Sequence, residues 1–470
     1  NKEKEIITMA KEVTPEQIEM LDGMVAKARA AAEIIATYDQ ERVDRLCQAV
    51  AASVIDMKVW ANLADEAVDE TGLGDKVTKR NKRNKLKLIL RDCLRQKSVG
   101  VIEEIPEKGI VKYAKPVGVI ASLVPTTNPC LTPAGQVIYA IKARDVIICS
   151  PHPRAKKTTN KCINIIRETL VREGAPADII QGIEEPSITL TQELMKRCDL
   201  VIATGGRPMV KSAYSSGRPS YGVGPGNVQV VVAPDWTDYD KLAKQVVGSR
   251  SYDNGMPCTG EQAIHLPADK VEQMKAAFVK QGAYILSDED AKKLPGILFT
   301  EKGTTDPAHV GMLPSHLAKL MGLDIPDSTT LLLFPSQGMT RENMLRREKL
   351  CPVVQFFPYE NFEEGVSNAK SNLMWEGKGH SSVVYTNDED CAKHAALELP
   401  VSRLLVNQPA GAASGGNFIN GLVPTMSLGC GSWGNNSISD NLSYKHLMNT
   451  TKLAFYHDPT IPSAEKVWEE

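Results

Sequence analysis

Charge of one sign is the first thing the sequence lacks: 55 Lys and Arg oppose 57 Asp and Glu, leaving a net charge of −2. A chain so near neutrality has no basic surface to hold a nucleic-acid backbone, so no nucleic-acid partner is expected. Long apolar runs are absent too. The longest uncharged stretch, residues 404–439, is crowded with Gly, Asn, Ser and Pro and cannot form a membrane helix, so no membrane partner is expected. The first thirteen residues carry alternating charges with no apolar segment after them, so no secretory signal is visible. Ten cysteines are scattered without a CxxC pair or a His/Cys cluster at zinc-ligand spacing, which argues against a structural metal site and for a reducing, cytoplasmic setting. No internal repeat occurs.

What is present is ordinary globular composition, 42% hydrophobic and 24% charged, over 470 residues. That excludes disorder, collagen-like repeats and a small disulfide scaffold, and the length predicts two or three packed domains. The expected partner is a small molecule. Residues 14–97 show helical spacing, as in Ile34, Ile35, Val43, Leu46, Val50 and Ile55. From Gly109 the texture changes to short apolar runs, VGVIASLVP (117–125), DVIICSP (145–151), DIIQGI (178–183) and DLVIATGG (199–206), separated by helix-length segments. Buried strands alternating with helices predict an α/β fold with a parallel sheet, whose ligands bind beyond the carboxyl ends of the strands. A Gly/Pro-rich hinge, GVGPGN (222–227), precedes a second α/β region that begins near Val228.

The segment SYDNGMPCTGEQAI (251–264) holds the most informative residue, Cys258. Asp253, Asn254, Gly255 and Pro257 predict a turn, and Thr259, Glu261 and Gln262 suit the first turn of a helix. A cysteine at such a junction has its thiol pKa lowered by the positive helix end and is a nucleophile. Asn128, in PTTNP (125–129) at the end of the first sheet strand, is a candidate oxyanion donor. SPHPRAKK (150–157) brings His152, Arg154 and Lys156 to the end of the second, in reach of phosphate or ribose. ATGGRPMVK (203–211) reads as strand, glycine pair and helix, a phosphate approach. GVGPGN does not have the GxGxxG spacing, and no carboxylate occurs between Asp199 and Asp235.

Together, PVGVIASLVPTTNP, SPHPRAKK, GAPADII, ATGGRPMVKSAYSSGRPSYGVGPGN, SYDNGMPCTGEQ, EKLCPV, GKGHSS and LGCGSWGNNSIS resemble the CoA-acylating aldehyde dehydrogenases, in order, from Tyr38 to His457. The likeness is to the aldehyde half of the bifunctional aldehyde-alcohol dehydrogenases and to the acylating sulfoacetaldehyde and succinate-semialdehyde enzymes. It implies an aldehyde dehydrogenase-like fold of two Rossmann-type α/β domains with a small bridging and oligomerisation segment. Residues 1–227 would hold the N-terminal helices and the nicotinamide domain, with the bridging segment at about 98–115. Residues 228–425 would form the catalytic domain, and 426–470 would return to the cofactor domain and the subunit interface of a homodimer or homotetramer. A monofunctional enzyme is expected, since the chain ends where an alcohol dehydrogenase half would begin.

Carried over by position, the resemblance makes Cys258 the nucleophile, Asn128 the oxyanion donor with the Cys258 N–H, and His380 a proton shuttle. Thr126, Thr127, Ser150, His152, Pro153, Arg154, Thr204, Gly205 and Gly224 would line the NAD or NADP, and Glu348 would bond its ribose. No metal is implied. In the second step the loop corresponding to the one that supplies a water-activating glutamate in hydrolytic relatives is GVGPGN, without an acid, so the thioester on Cys258 should pass to coenzyme A. Arg207, Arg218, Tyr221 and Arg250 are candidates for an anionic aldehyde tail, sulfoacetaldehyde first, with acetaldehyde or succinate semialdehyde as alternatives. A noncatalytic assembly protein that keeps the fold is the alternative outside enzymology, its docking segment carrying Ile6, Ile7, Met9 and Val13.

Overall fold

The computed structural model describes residues 12–456, apart from the side chain of Arg207. Ile6, Ile7 and Met9 of the expected docking segment, and His457, lie outside the described residues. The chain opens with five helices: α1 (Pro15–Ile35), α2 (Gln40–Ile55), α3 (Met57–Thr71), α4 (Lys76–Asn81) and α5 (Arg83–Leu94). Four start on a side-chain cap, from Thr14, Asp39, Asp56 and Asp75, which satisfies amide donors the first turn leaves free. Helix α2 shows why the layer packs as it does. Its Val43, Leu46, Cys47, Val50, Ala51 and Val54 recur at steps of three and one, so they form a single buried stripe against α5 and the helices of the first sheet.

A hairpin follows, β1 (Val101–Ile105) and β2 (Ile110–Pro116), and then the first parallel sheet. Its elements are β3 (Val119–Val124), α6 (Leu131–Ala143), β4 (Val146–Pro151), α7 (Lys156–Arg172), β5 (Ile180–Gly182), α8 (Ile188–Arg197), β6 (Leu200–Thr204), α9 (Arg207–Tyr214) and β7 (Ser220–Val223). Every residue of β3 and β4 is buried, as expected of strands covered on both faces. The spatial order is β5-β4-β3-β6-β7. Strand order therefore reverses between β3 and β6, and such a switch point opens a crevice beyond the carboxyl ends of the strands.

The second sheet has seven parallel strands: β8 (Val228–Val232), β9 (Glu261–Pro267), β10 (Ala283–Ile285), β11 (Leu331–Pro335), β12 (Val353–Tyr359), β13 (Gly379–Tyr385) and β14 (Val401–Val406), with α10 (Tyr239–Ser251) between β8 and β9. Finally β15 (Met448–Ala454) returns to pair antiparallel with β2 along its whole length. Two Rossmann-like sheets thus share the chain, joined by residues 224–227. No described helix is long and apolar enough to cross a membrane.

The helical layer is pinned to the first sheet electrostatically as well as by packing. Lys142 on α6 is fully buried, donates to Asp44 on α2 at 2.6 Å, and lies 6.0 Å from the centre of the Tyr444 ring. Removing one partner of a buried pair strands the other charge, so Asp44→Ala is expected to lower unfolding stability by about 3 kcal/mol. Denaturant titration beside the parent protein checks this; an unchanged midpoint would mean Lys142 is not held by Asp44.

Candidate active site

The nucleophile turn is shaped by three successive residues in the left-handed region, Asp253 (φ 49°), Asn254 (φ 52°) and Gly255 (φ 71°). Asp, Asn and Gly are the residues that tolerate this conformation. They reverse the chain after α10 and present Cys258, half-buried, in a turn that runs directly into β9. The helix expected after Cys258 is therefore absent. Ala263, Ile264 and Leu266 are buried between β8 and β12, and the Glu261 carboxylate, instead of facing a helix start, is buried and accepts the Ala410 N–H at 2.7 Å. With no helix end beside it, the thiol is not lowered. Burial, then Glu348 and Cys430, push Cys258 up to about 12 against a smaller opposing effect of Arg403.

The backbone around Cys258 is tightly fixed. A Cβ at Gly226 would come within 1.8 Å of the Cys258 carbonyl oxygen, so only glycine permits the linker to lie there. The Gly226 N–H donates to Glu348 Oε1 at 3.2 Å. Burial raises the Glu348 carboxyl to about 8 and the neighbouring Glu376 adds to this, while Arg250, the Gly226 N–H and Lys349 oppose. Glu348 thus faces the linker through Oε1, and its charge acts on Cys258. His380 opens β13 and is fully buried, and neither ring nitrogen has a hydrogen-bond partner among the described residues. Burial, followed by Arg403, takes it down to about 3, so it stays neutral. Arg403 donates to the carbonyls of His380 at 2.9 Å and Gly429 at 2.7 Å, next to Cys430. Cys430 and Arg403 escaped the sequence analysis, although Cys430 stands in the LGCGSWGNN motif.

Asn128 follows β3 and is half-buried. Its Oδ1 accepts from Lys82 Nζ at 2.7 Å, and Lys82 in turn meets Asp253 Oδ2 at 2.5 Å. The same Oδ2 lies 3.3 Å from Lys79 Nζ. Burial works to raise the Asp253 carboxyl, but Lys82 and Lys79 outweigh it and hold it below the ordinary carboxylate value. Lys79 is lowered to about 8 by burial and by Lys82. Asn128 and the nucleophile turn are thus tied through one carboxylate. Neither lysine was singled out from the sequence, because Lys79 and Lys82 sit in a basic run, KRNKRNKLK, that has the composition of a solvated helix.

The residues expected to hold a dinucleotide gather at the carboxyl edge of the first sheet. Thr126 and Thr127 follow β3, and Thr204 and Gly205 close β6 across the switch point. Gly205 and Gly206 lead into α9, whose first turn has no side-chain cap; Pro208 has no N–H and the Met209 N–H is bonded to the Gly206 carbonyl at 3.0 Å, so the Arg207 N–H is the first-turn donor left for a phosphate, and the edge fits the group through it. Gly224 lies against Cys430. His152 is half-buried with its Nδ1 accepting the Arg154 N–H at 3.1 Å, and Pro153 and Arg154 are exposed. Ser150 is turned inward, 2.7 Å from the Thr191 hydroxyl, and Arg154 donates to the Thr71 carbonyl at 2.7 Å.

The anion-binding candidates do not come together. Arg218 is exposed and spends two donors on the Lys196 carbonyl, at 3.0 and 2.6 Å. Arg250 is fully buried, facing Gln262, and Tyr221 packs edge-on to His446. The Arg207 side chain lies outside the described residues. Arg218 is spent at the surface and Arg250 lies in the core with only its Nη2 bonded, so the two do not form a shared arginine pocket for the aldehyde tail.

The model of the aldehyde dehydrogenase family matches residues 2–292. A succinate-semialdehyde dehydrogenase (acetylating) of Clostridium kluyveri is 41% identical over 95% of this chain and 98% of its own. A sulfoacetaldehyde dehydrogenase of an Acholeplasma species is 39% identical over 96% and 93%. An acetylating aldehyde dehydrogenase of Geobacillus thermoglucosidasius superimposes with a TM-score of 0.90 at 32% identity, covering 95% of this chain and 99% of that one. The chain belongs to the aldehyde dehydrogenase family. Within it the chain is an oxidoreductase of the acylating kind, as the motifs implied.

Because the Gly226 contact sets the height of the nucleophile, Gly226→Ala is expected to reduce thioester formation on Cys258 at least ~100-fold, the scale of misplacing a reacting group by about 1 Å. Mass spectrometry of the acyl-enzyme after one turnover measures it; acylation at the parental rate would show that the linker gives way instead.

Proposed function

We propose that this protein oxidises a short aldehyde to its acyl-CoA with NAD(P)+, and catalyses the reverse, through a thioester on Cys258. The observation that carries this reading is the pairing of a thiol with a carboxyl, Glu348, raised to about 8 and so mostly protonated at pH 7. A protonated carboxyl cannot take a proton from water. Without a general base, water loses roughly 10² to 10⁴ in rate, whereas a thiol of pKa near 8.5 already offers a few per cent of thiolate.

Cys258 Sγ adds to the aldehyde carbonyl while its proton passes to the neutral imidazole of His380, whose ring nitrogens have no partner among the described residues, and from there to solvent. Asn128 Nδ2 and the Cys258 N–H stabilise the oxyanion of the thiohemiacetal. A nicotinamide bound at the carboxyl edge of the first sheet supplies the hydride acceptor. Collapse of the oxyanion leaves the acyl group on Cys258, and the CoA thiolate attacks it, so one thioester is exchanged for another and the step is reversible.

The aldehyde is of the class with an anionic tail; what supports this is the names of the two curated relatives, a succinate-semialdehyde and a sulfoacetaldehyde enzyme. Turnover compared across acetaldehyde, sulfoacetaldehyde and succinate semialdehyde tests it, and equal preference for acetaldehyde removes it. The enzyme works in the cytoplasm as a homodimer or homotetramer, with the hairpin β1–β2 and β15 as the bridging segment.

The first experiment follows NADH with and without CoA. Only a single-turnover burst is expected without CoA, none at all in Cys258→Ala, and sustained NADH without CoA would make the enzyme hydrolytic. Asn128→Ala is expected to lower kcat by about 10²–10³-fold. The pH dependence has a definite sign. Glu348 is neutral below about 8 and ionises above it, so it can begin to serve water only on the alkaline side. Between pH 7 and 9 its ionised fraction rises roughly tenfold, and the CoA-independent rate should rise by that factor over the increase seen in Glu348→Gln. Parallel curves for the two proteins would show that Glu348 does not govern hydrolysis.

A further inference from the structure

Lys82 Nζ meets three acceptors: Asp253 Oδ2 at 2.5 Å, Asn128 Oδ1 at 2.7 Å and the Thr127 carbonyl at 3.4 Å. An ammonium has three hydrogens and no lone pair, so its capacity is filled and it can only donate. The end of the Asn128 amide that faces it must therefore be the oxygen. The usual ambiguity between amide oxygen and nitrogen is removed by the chemistry of the partner. Nδ2, with both hydrogens, is directed away from Lys82. The lysine side chain is 8% exposed and Asp253 is fully buried, so water does not compete for these bonds.

We propose that Lys82 is a positioning residue for the oxyanion site: its ammonium fixes the Asn128 amide with Nδ2 free to donate, and Asp253 fastens that arrangement to the turn bearing Cys258. The inference rests on Asn128 being the oxyanion donor. Two effects follow from one contact. A cation on the amide oxygen draws electron density from the nitrogen and makes its N–H a stronger donor. It also closes the alternative orientation, because the terminal torsion of an asparagine is broad and roughly two-fold, and a half-turn would present Oδ1 to the developing negative charge.

The lysine can be removed without orphaning its carboxylate. In Lys82→Met, Asp253 keeps Lys79 at 3.3 Å and the Asp75 N–H at 3.2 Å. Removing one partner does not leave a buried charge alone, so the variant should fold. Lys82→Gln keeps a donor for Oδ1 without the charge.

The test is a double-mutant cycle on the full-length enzyme, reading kcat, the KM values for aldehyde and CoA, and the single-turnover rate of thioester formation. Lys82→Met is expected to lower kcat and the acylation rate about 10- to 100-fold with both KM values within about threefold, and to cost less than about threefold once Asn128 is already Ala. Lys82→Gln should recover part of the loss. Equal losses in both backgrounds, or no loss in the parent enzyme, would overturn the proposal and leave Lys82 a packing residue. Full activity in Asn128→Ala would instead remove the oxyanion assignment, and the role of Lys82 with it. If the Met variant does not fold, the same cycle run with Lys82→Gln decides the matter, with a smaller expected loss that again vanishes beside Asn128→Ala.

Discussion

The carboxylate of Asp253 is the constraint on which the site depends. It is fully buried, and what keeps it ionised is the pair Lys79 and Lys82. Three distant pieces of chain meet on it: the loop and first turns of α4 and α5, the loop after β3 through Lys82 and Asn128, and the left-handed turn before Cys258. From the helical side the Asp75 N–H donates to the carboxylate at 3.2 Å, and the Thr78 hydroxyl accepts the Asp253 backbone N–H at 3.1 Å. Burying three ionised groups is costly and is tolerated only where geometry is closed by further hydrogen bonds. Here those bonds fix the nucleophile turn relative to the first sheet.

Burial rather than dipoles sets the protonation states around the nucleophile. Three groups around the sulfur are driven to their neutral forms: the Cys258 thiol upward, the Glu348 carboxyl upward and the His380 imidazole downward. The centre at rest therefore holds a thiol, an acid and a neutral imidazole, with the fixed charge supplied by Arg403 and Arg250. A neutral resting centre suits chemistry in which an anion is formed only as the carbonyl accepts the sulfur, because the preorganised donors are then unopposed by a standing negative charge.

Much of the fold was legible because the strands are buried on both faces and so appear as uninterrupted apolar runs, and because Val43, Leu46 and Val50 recur at helical spacing. Asn128, Thr204 and Gly205 were legible as residues at strand ends, and Cys258 as a residue beside a turn. The helix after Cys258 was misread because Thr259, Glu261 and Gln262 have the polar look of a first turn, and what overrides it is tertiary: Glu261 finds the Ala410 amide and the strand finds β8 and β12. The lowered thiol failed with it. The arginines misled for a related reason. A guanidinium that answers a buried or surface carbonyl has the same letter in the sequence as one that answers a substrate. The pairing of Lys82 with Asp253, which was read only as a turn residue, was invisible for the opposite reason, since it exists only when residues 171 positions apart are brought together.

The linker between the two sheets places one glycine on Cys430 and another on the backbone of Cys258. A connection of this kind is geared rather than free: a change in the angle between the two sheets drags the sulfur along the crevice. The width of the entrance and the aim of the reacting atom are then a single mechanical coordinate, and a gene fusion or stabilising cross-link that alters one will retune the other.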